Sequence, residues 1–154
     1  MSDRESMLTE IIHKNPGLHY SEIIRVSGLK NGVLSYYLTK LESNGTIKIE
    51  REKNKTRFFT PTITHEEIRI IVFLRKETSR RILSVLSDSD GLKFKRIVEK
   101  VGKSAPTISQ NLSKLIASDL VVLKLENSEK KYYLKRNSTL KKLIKKCQIN
   151  NSYK

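Results

Sequence analysis

Laid over itself with a shift of 74 residues, this chain matches without a gap: Gly17-Leu18 falls on Gly91-Leu92, Ile23 on Ile97, Gly28 on Gly102, Ser35 on Ser109, Leu38 on Leu112, and Lys40-Leu41 on Lys114-Leu115. Chemically similar pairs extend the match, with Leu8 on Ile82, Leu34 on Ile108, Ile47 on Val121, and Phe58-Phe59 on Tyr132-Tyr133. Nine of the 55 pairs that start from Met7 to Pro61 are identical, and their weight lies in where they fall, on apolar and turn positions. A repeat of this kind decides the architecture before any local reading. The chain is two copies of one small domain.

Each copy reads as helix, short helix, turn, long helix and hairpin. In the first, Ser2 and Glu5 have capping-box spacing ahead of the Leu8, Ile11, Ile12 stripe, which stops at Asn15-Pro16-Gly17. A second helix over Tyr20–Ser27 ends at Gly28, and a third over Asn31–Ser43 places Leu34, Leu38 and Leu41 on one face before Asn44-Gly45. Beyond Gly45 the period changes to alternation, Ile47 and Ile49 against Lys48 and Glu50, which predicts a hairpin turning at Lys53-Asn54-Lys55. The second copy is expected to hold helices over Arg80–Leu86, Phe94–Val101 and Pro106–Ser118. Strands over Leu120–Glu126 and Lys131–Lys135 flank a loop Asn127–Lys130.

Between the copies, Thr64 and Glu67 cap a predicted connecting helix with Ile68, Ile71, Val72 and Leu74. At the end, Ser138 is expected to cap an amphipathic helix with Leu140, Leu143, Ile144 and Cys147 on one face and Lys141, Lys142, Lys145 and Lys146 on the other. The fold class is therefore mainly α with small β-hairpins (α+β). It comprises a first domain at 1–62, a connecting helix at 63–79, a second domain at 80–136, and a basic C-terminal helix and tail at 137–154.

Charge narrows the partner. The 154 residues carry 31 Lys and Arg against 16 Asp and Glu, a net charge of +15, and seven of those cations lie in residues 135–154. Such a chain seeks a polyanion. One cysteine forms no intrachain disulfide, the N-terminus lacks a secretory apolar stretch, and the longest apolar run, Ile70–Leu74, is too short to span a bilayer, so a cytoplasmic, membrane-free protein is expected.

The segments GLKNGVLSYYLTKLESNGTIKIEREKNKTRFFTP and VGKSAPTISQNLSKLIASDLVVLKLENSEKKYYL each resemble the helix-turn-helix and wing of winged-helix transcription regulators of the MarR and ArsR kind. The tandem arrangement is most similar to regulators common in archaea. This resemblance implies two winged helix-turn-helix domains bound to double-stranded DNA. The recognition helices would be Asn31–Ser43 and Ser104–Ser118, and the wings Glu52–Arg57 and Glu126–Lys131. A homodimer is the expected form.

An α-helix fits the B-DNA major groove when one face is anchored by apolar residues and the other presents short polar side chains. With Ile108, Leu112, Leu115 and Ile116 placed inward, Pro106, Gln110, Ser113, Lys114 and Ala117 face outward, flanked by Ser104, Thr107 and Ser109. The matching positions of the first copy are Gly32, Tyr36, Thr39, Lys40 and Ser43, with Asn31 and Ser35 beside them. Gln110 suits a paired hydrogen bond to adenine, or is simply a solvated helix residue. Tyr36 is placed to reach bases, or one ring of Tyr36-Tyr37 folds onto the domain. Lys40 and Lys114 suit phosphate contacts. Lys53, Lys55 and Arg57 make the first wing the more basic, whereas Lys130 and Lys131 in the second are offset by Glu126 and Glu129. The C-terminal lysines are read as the solvated face of a packing or dimerisation helix.

Other chemistry finds little support. His13, His19, His65 and Cys147 lack metal-ligand spacing, and there is no phosphate-binding glycine loop, HExxH or GxSxG, so neither a cofactor nor catalysis is expected. An effector is not identified by any residue pattern. The readings that compete with sequence-specific DNA binding are a winged-helix subunit that binds proteins in a transcription or chromatin assembly, and a nonspecific nucleic-acid binder.

Overall fold

The computed structural model describes residues 2–52 and 55–149. They form two compact units whose boundary falls after Ile68, the second running from Arg69 to Cys147. The first unit contains α1 (Asp3–Lys14), β1 (Leu18–His19), α2 (Tyr20–Ser27), α3 (Asn31–Ser43), β2 (Lys48–Arg51) and β3 (Thr56–Phe59). Next comes α4 (His65–Leu74), inside which the boundary lies, followed by α5 (Glu77–Ser87), α6 (Phe94–Val101), α7 (Ala105–Ala117), β4 (Val121–Glu126), β5 (Glu129–Leu134) and α8 (Ser138–Ile149). Most of α4, and α8 through Cys147, belong to the second unit.

The helix ends follow their capping chemistry. Ser2 and Glu5 form the reciprocal capping box of α1, and Thr64 and Glu67 repeat it before α4. Gly28 (φ 70°) and Gly102 (φ 75°) close α2 and α6 in the left-handed conformation. α8 is capped by Asn137, whose Oδ1 accepts from Thr139 and Leu140 N–H, so the expected cap Ser138 is instead the first helical residue.

Both hairpins keep the 74-residue register. Ile49 lies opposite Phe58 and Lys48 opposite Phe59 in the first unit, and Leu123 opposite Tyr132 and Val122 opposite Tyr133 in the second. The short strand β1 adds to the hairpin edge in the order β1-β3-β2, with Leu18 paired to Phe58, and its counterpart is the bridge between Leu92 and Tyr132. This third strand was not expected. Two residues alternate too briefly to leave a pattern. The second hairpin also turns more tightly than the loop 127–130 expected for it: Glu126 pairs with Glu129, and Asn127 (φ 50°) and Ser128 (φ 66°) make a two-residue type I′ turn.

The first core joins Leu8, Ile12, Leu18, Ile23, Leu34, Leu38, Leu41, Ile47 and Phe58. In the second unit Ile82, Leu86, Ile97, Ile108, Leu112, Leu115 and Leu120 are buried, as are Leu140, Leu143, Ile144 and Cys147 of α8. Each fully buried Leu or Ile contributes about 1.5–3 kcal/mol, and it is this anchoring that fixes which faces of α3 and α7 look outward. One inward assignment fails: Ile116 is 36% exposed, because it lies well round the helix from the Ile108, Leu112, Leu115 line.

Candidate nucleic-acid interface

α7 is braced at its start and along its inner flank. Ser104 caps it, accepting from Thr107 N–H, while its hydroxyl donates to Thr107 Oγ1 at 2.8 Å, and Pro106 in the first turn is pre-set for helix. Both hydroxyl oxygens expected at the groove are thus engaged in the cap, which leaves the Thr107 hydroxyl proton for an outside acceptor. On the inner flank, buried Ser79 donates to Asn111 Oδ1 at 3.0 Å and Asn111 Nδ2 donates to Thr107 O at 2.8 Å, tying α7 to α5. Outward stand Pro106, Ser109, Gln110, Ser113, Lys114 and Ala117, all exposed. The side chains of Gln110 and Lys114 make no hydrogen bond or ion pair to any described residue.

α3 has the same frame and a different outer face. The Tyr20 hydroxyl lies within hydrogen-bonding reach of Asn31 O at 2.8 Å and of Asn31 Oδ1, fixing the helix start and leaving the Asn31 amide nitrogen as donor. Ser35 and Thr39 are exposed. Tyr36 is 61% exposed and packs edge to face with half-buried Tyr37, their ring centroids 5.1 Å apart, so of the two rings it is Tyr37 that folds inward. Lys40, expected as a phosphate contact, is engaged within the unit: its ammonium lies 2.7 Å from Oε1 of buried Glu5 in α1. The Lys40 ammonium and the Ser2 backbone hold the Glu5 carboxyl below its ordinary range, and Glu5 in turn raises Lys40. The Lys114 counterpart of that acid is Ser79, an uncharged residue, so the two lysines the repeat superimposes have different duties.

In the first wing, one of the expected contacts is engaged within the unit. Arg57 is 1% exposed and donates to Gly17 O at 2.8 Å, with Glu52 at 3.8 Å, so it joins strand β3 to the turn before β1 and offers nothing to a DNA backbone. Arg57 shares a strand face with Phe59, the face opposite to that of Phe58, and both faces of β3 are covered here; its register partner is Glu50. Lys53 lies outside the described residues. Lys55 is exposed, and Arg51 is held by both oxygens of Glu42 at 3.1 Å. In the second wing Lys93 pairs with Glu129 at 2.8 Å and lowers its carboxyl pKa, removing part of the acidic offset. Lys130 is exposed and Lys131 half-buried. Lys124 lies 5.0 Å over the Tyr133 ring, and Leu125 near the tip is 71% exposed.

Charge divides along the same line. Residues 69–147 hold 20 Lys and Arg against seven Asp and Glu, a net +13, while residues 2–68 hold ten against nine, a net +1. The whole-chain excess is therefore a property of the second unit. Burial, then Arg57, lowers the His19 pKa, so that imidazole is neutral near pH 7. Burial raises the Cys147 thiol, which makes it packing material and a poor nucleophile. Among the described residues no group of three His, Cys, Asp or Glu side chains converges to hold a metal, and no helix is long and apolar enough to cross a membrane.

Sequence reasoning missed four participants. Arg69 donates to Ser118 O and so ties α4 to the residue after α7. Asn111 gave no signal because a helical Asn can as readily be solvated. Arg4 and Lys30 join Gly32, Val33, Tyr36 and Tyr37 around a depression on α3, and only the tertiary fold brings Arg4 there.

Two sequence-family matches agree with this architecture. Residues 2–71 match the family of N-terminal HTH domains of the HVO_0163 type, and residues 75–122 match the family described as winged helix-turn-helix DNA-binding. An uncharacterised HTH-type transcriptional regulator, MJ1398 of Methanocaldococcus jannaschii, is 23% identical over 134 residues, covering 87% of this chain. The match spans 34% of that relative's own length. Among solved structures, HlyU from Vibrio cholerae is 22% identical with a TM-score of 0.47, over 52% of this chain and 85% of its own. The homodimeric winged helix-turn-helix domain Mb0332 from Mycobacterium bovis, a possible ArsR-family regulator, is 21% identical with a TM-score of 0.47, over 55% and 76%. A MarR-family regulator from Silicibacter pomeroyi is 18% identical with a TM-score of 0.44, over 56% and 64%.

Proposed function

We propose that this chain, a DNA-binding transcription regulator of the winged helix-turn-helix class, reads double-stranded DNA chiefly through its second unit, with α7 in the major groove and the β4–β5 wing on the adjoining backbone. The observation that carries this reading is the outer face of α7. Gln110, Ser113 and Lys114 are exposed on it, Gln110 and Lys114 without an internal partner, while Ile108, Leu112 and Leu115 are at most 1% exposed behind them. That ridge belongs to a unit of net charge +13, which supplies counterion release.

In this reading Lys114, Lys130 and Lys131 neutralise phosphates, Gln110 reads a base edge, and Ser104, Pro106, Thr107 and Ser109 set the helix start against the backbone. One α7 reads one half-site. A homodimer in the cytoplasm, with its two α7 helices about 34 Å apart, would read a two-fold site and act by occupying promoter DNA.

The test is selection of a preferred duplex from a random pool, followed by affinity measured between about 50 and 200 mM salt. A steep salt dependence with a retained sequence preference is expected. Gln110→Ala should relax the preference at one position at a cost of about 1–3 kcal/mol, whereas Lys114→Ala should weaken all sequences alike. A chain that binds no duplex at low salt, or binds every sequence equally, overturns the proposal in favour of a protein-binding or nonspecific role.

A further inference from the structure

α3 contains a glycine that its own fold does not require. Gly32 is the second residue of the helix, its φ is not positive, and a Cβ built on it meets no atom within 4 Å. Glycine in a helix costs up to about 1 kcal/mol relative to alanine, so its presence here is a cost with no packing or backbone reason. What it does provide is room. Gly32, Val33, Tyr36 and Tyr37 line a shallow depression of about 500 Å³, and the cations Arg4 and Lys30 also border it. Arg4 lies 5.9 Å over the Tyr37 ring, and Tyr37 packs edge to face with Tyr36, so the exposed Tyr36 ring is steadied from behind.

We propose that this depression receives the 5-methyl edge of a thymine in the major groove, which makes Tyr36 and Gly32 specificity-determining residues. The inference rests on the reading of these helices as groove-binding. A thymine methyl is the apolar feature of the major-groove floor, and aromatic or aliphatic side chains recognise it by contact. Gly32 and Tyr36 occupy positions that the repeat superimposes on Pro106 and Gln110 of the reading ridge of α7. Arg4 and Lys30 complement the phosphates that flank any such base. Because the first unit has a net charge of only +1 and Lys40 is committed to Glu5, α3 adds little electrostatic hold. Its contribution is chiefly selection, while the second unit supplies most of the salt-dependent affinity.

The experiment uses the full chain and the duplex recovered by selection, resynthesised with deoxyuridine in place of thymidine, which deletes the methyl and keeps the pairing. Binding of the native chain should weaken about fourfold for each thymine contacted, the equivalent of one buried methyl at ~0.8 kcal/mol. Tyr36→Ala and Gly32→Leu, each with a native melting temperature, should bind the thymine and uracil duplexes equally, and Tyr36→Phe should keep the difference. Equal binding of both duplexes by the native chain overturns the inference and leaves the DNA reading intact, as does a Tyr36→Ala variant that stays as sensitive to uracil as the native chain. Absence of any preferred duplex overturns both.

Discussion

A Cβ on Gly91 would lie 2.4 Å from Cε1 of Tyr133, inside the ring's own van der Waals envelope. Gly91 also has φ +104°, a region that side-chain-bearing residues rarely adopt. The contact sits beside the bridge that joins Leu92 to Tyr132, where the turn after α5 meets the hairpin. Gly91→Ala is therefore expected to destabilise the second unit by about 2–4 kcal/mol, from overpacking together with backbone strain. Pairing it with Tyr133→Ala should recover the overpacking part and leave the strain. Urea unfolding of the single and double variants checks this, and a single variant as stable as the native chain would refute it.

The repeat made Gly17 and Gly91 visible as equivalent turn positions, and it carried the register of both hairpins as well. Repetition displays whatever the shared backbone requires, because both copies must solve the same packing problem. It is blind to what each copy does with an equivalent position. Arg57 and Lys131 superimpose, yet one is buried against Gly17 O and the other is half-exposed. Lys40 and Lys114 are identical, yet only one faces a carboxylate, supplied by a residue 35 positions away on α1. Site chemistry of this sort depends on contacts between elements, which no local pattern encodes.

The unequal duties of those two lysines give a sharp expectation for DNA binding. Lys114→Ala should reduce the salt slope of the binding constant by about one counterion, and Lys40→Ala should leave it unchanged. Lys40→Ala should instead weaken the first unit's stability in a pH-dependent way. Glu5 has a folded pKa below its ordinary 4.5, so its pairing stabilises the fold above that value, and the contribution is lost as pH falls through the lowered folded pKa. Glu5→Gln should accordingly flatten the acid limb of a melting-temperature profile against pH. Equal salt slopes for the two alanine variants would refute the division of labour.

Arg57 should behave as a core residue. With its side chain 1% exposed and its guanidinium donating to Gly17 O, Arg57→Ala leaves a buried carbonyl unpaired and a void beside β1. A loss of about 2–4 kcal/mol in unfolding free energy is expected, with no change in the salt slope of DNA binding. A variant of native stability whose affinity for every duplex falls would return Arg57 to the wing surface.

The turn of the second wing offers a change in the opposite direction. Asn127 and Ser128 both hold positive φ in a type I′ turn, a geometry in which Asn-Gly is the favoured pair and a Cβ at the second position is strained. Ser128 is exposed and makes no hydrogen bond to a described residue, so replacing it removes strain without removing a contact. Ser128→Gly should stabilise the β4–β5 hairpin by about 0.5–1 kcal/mol, because relief of αL strain exceeds the added entropy of the unfolded glycine. Slower hydrogen exchange of the β4 and β5 amides, with a small rise in melting temperature, is the expected readout. Faster exchange would mean that the glycine's unfolded-state entropy outweighs the relief, and that the serine at this turn is carried at no net cost.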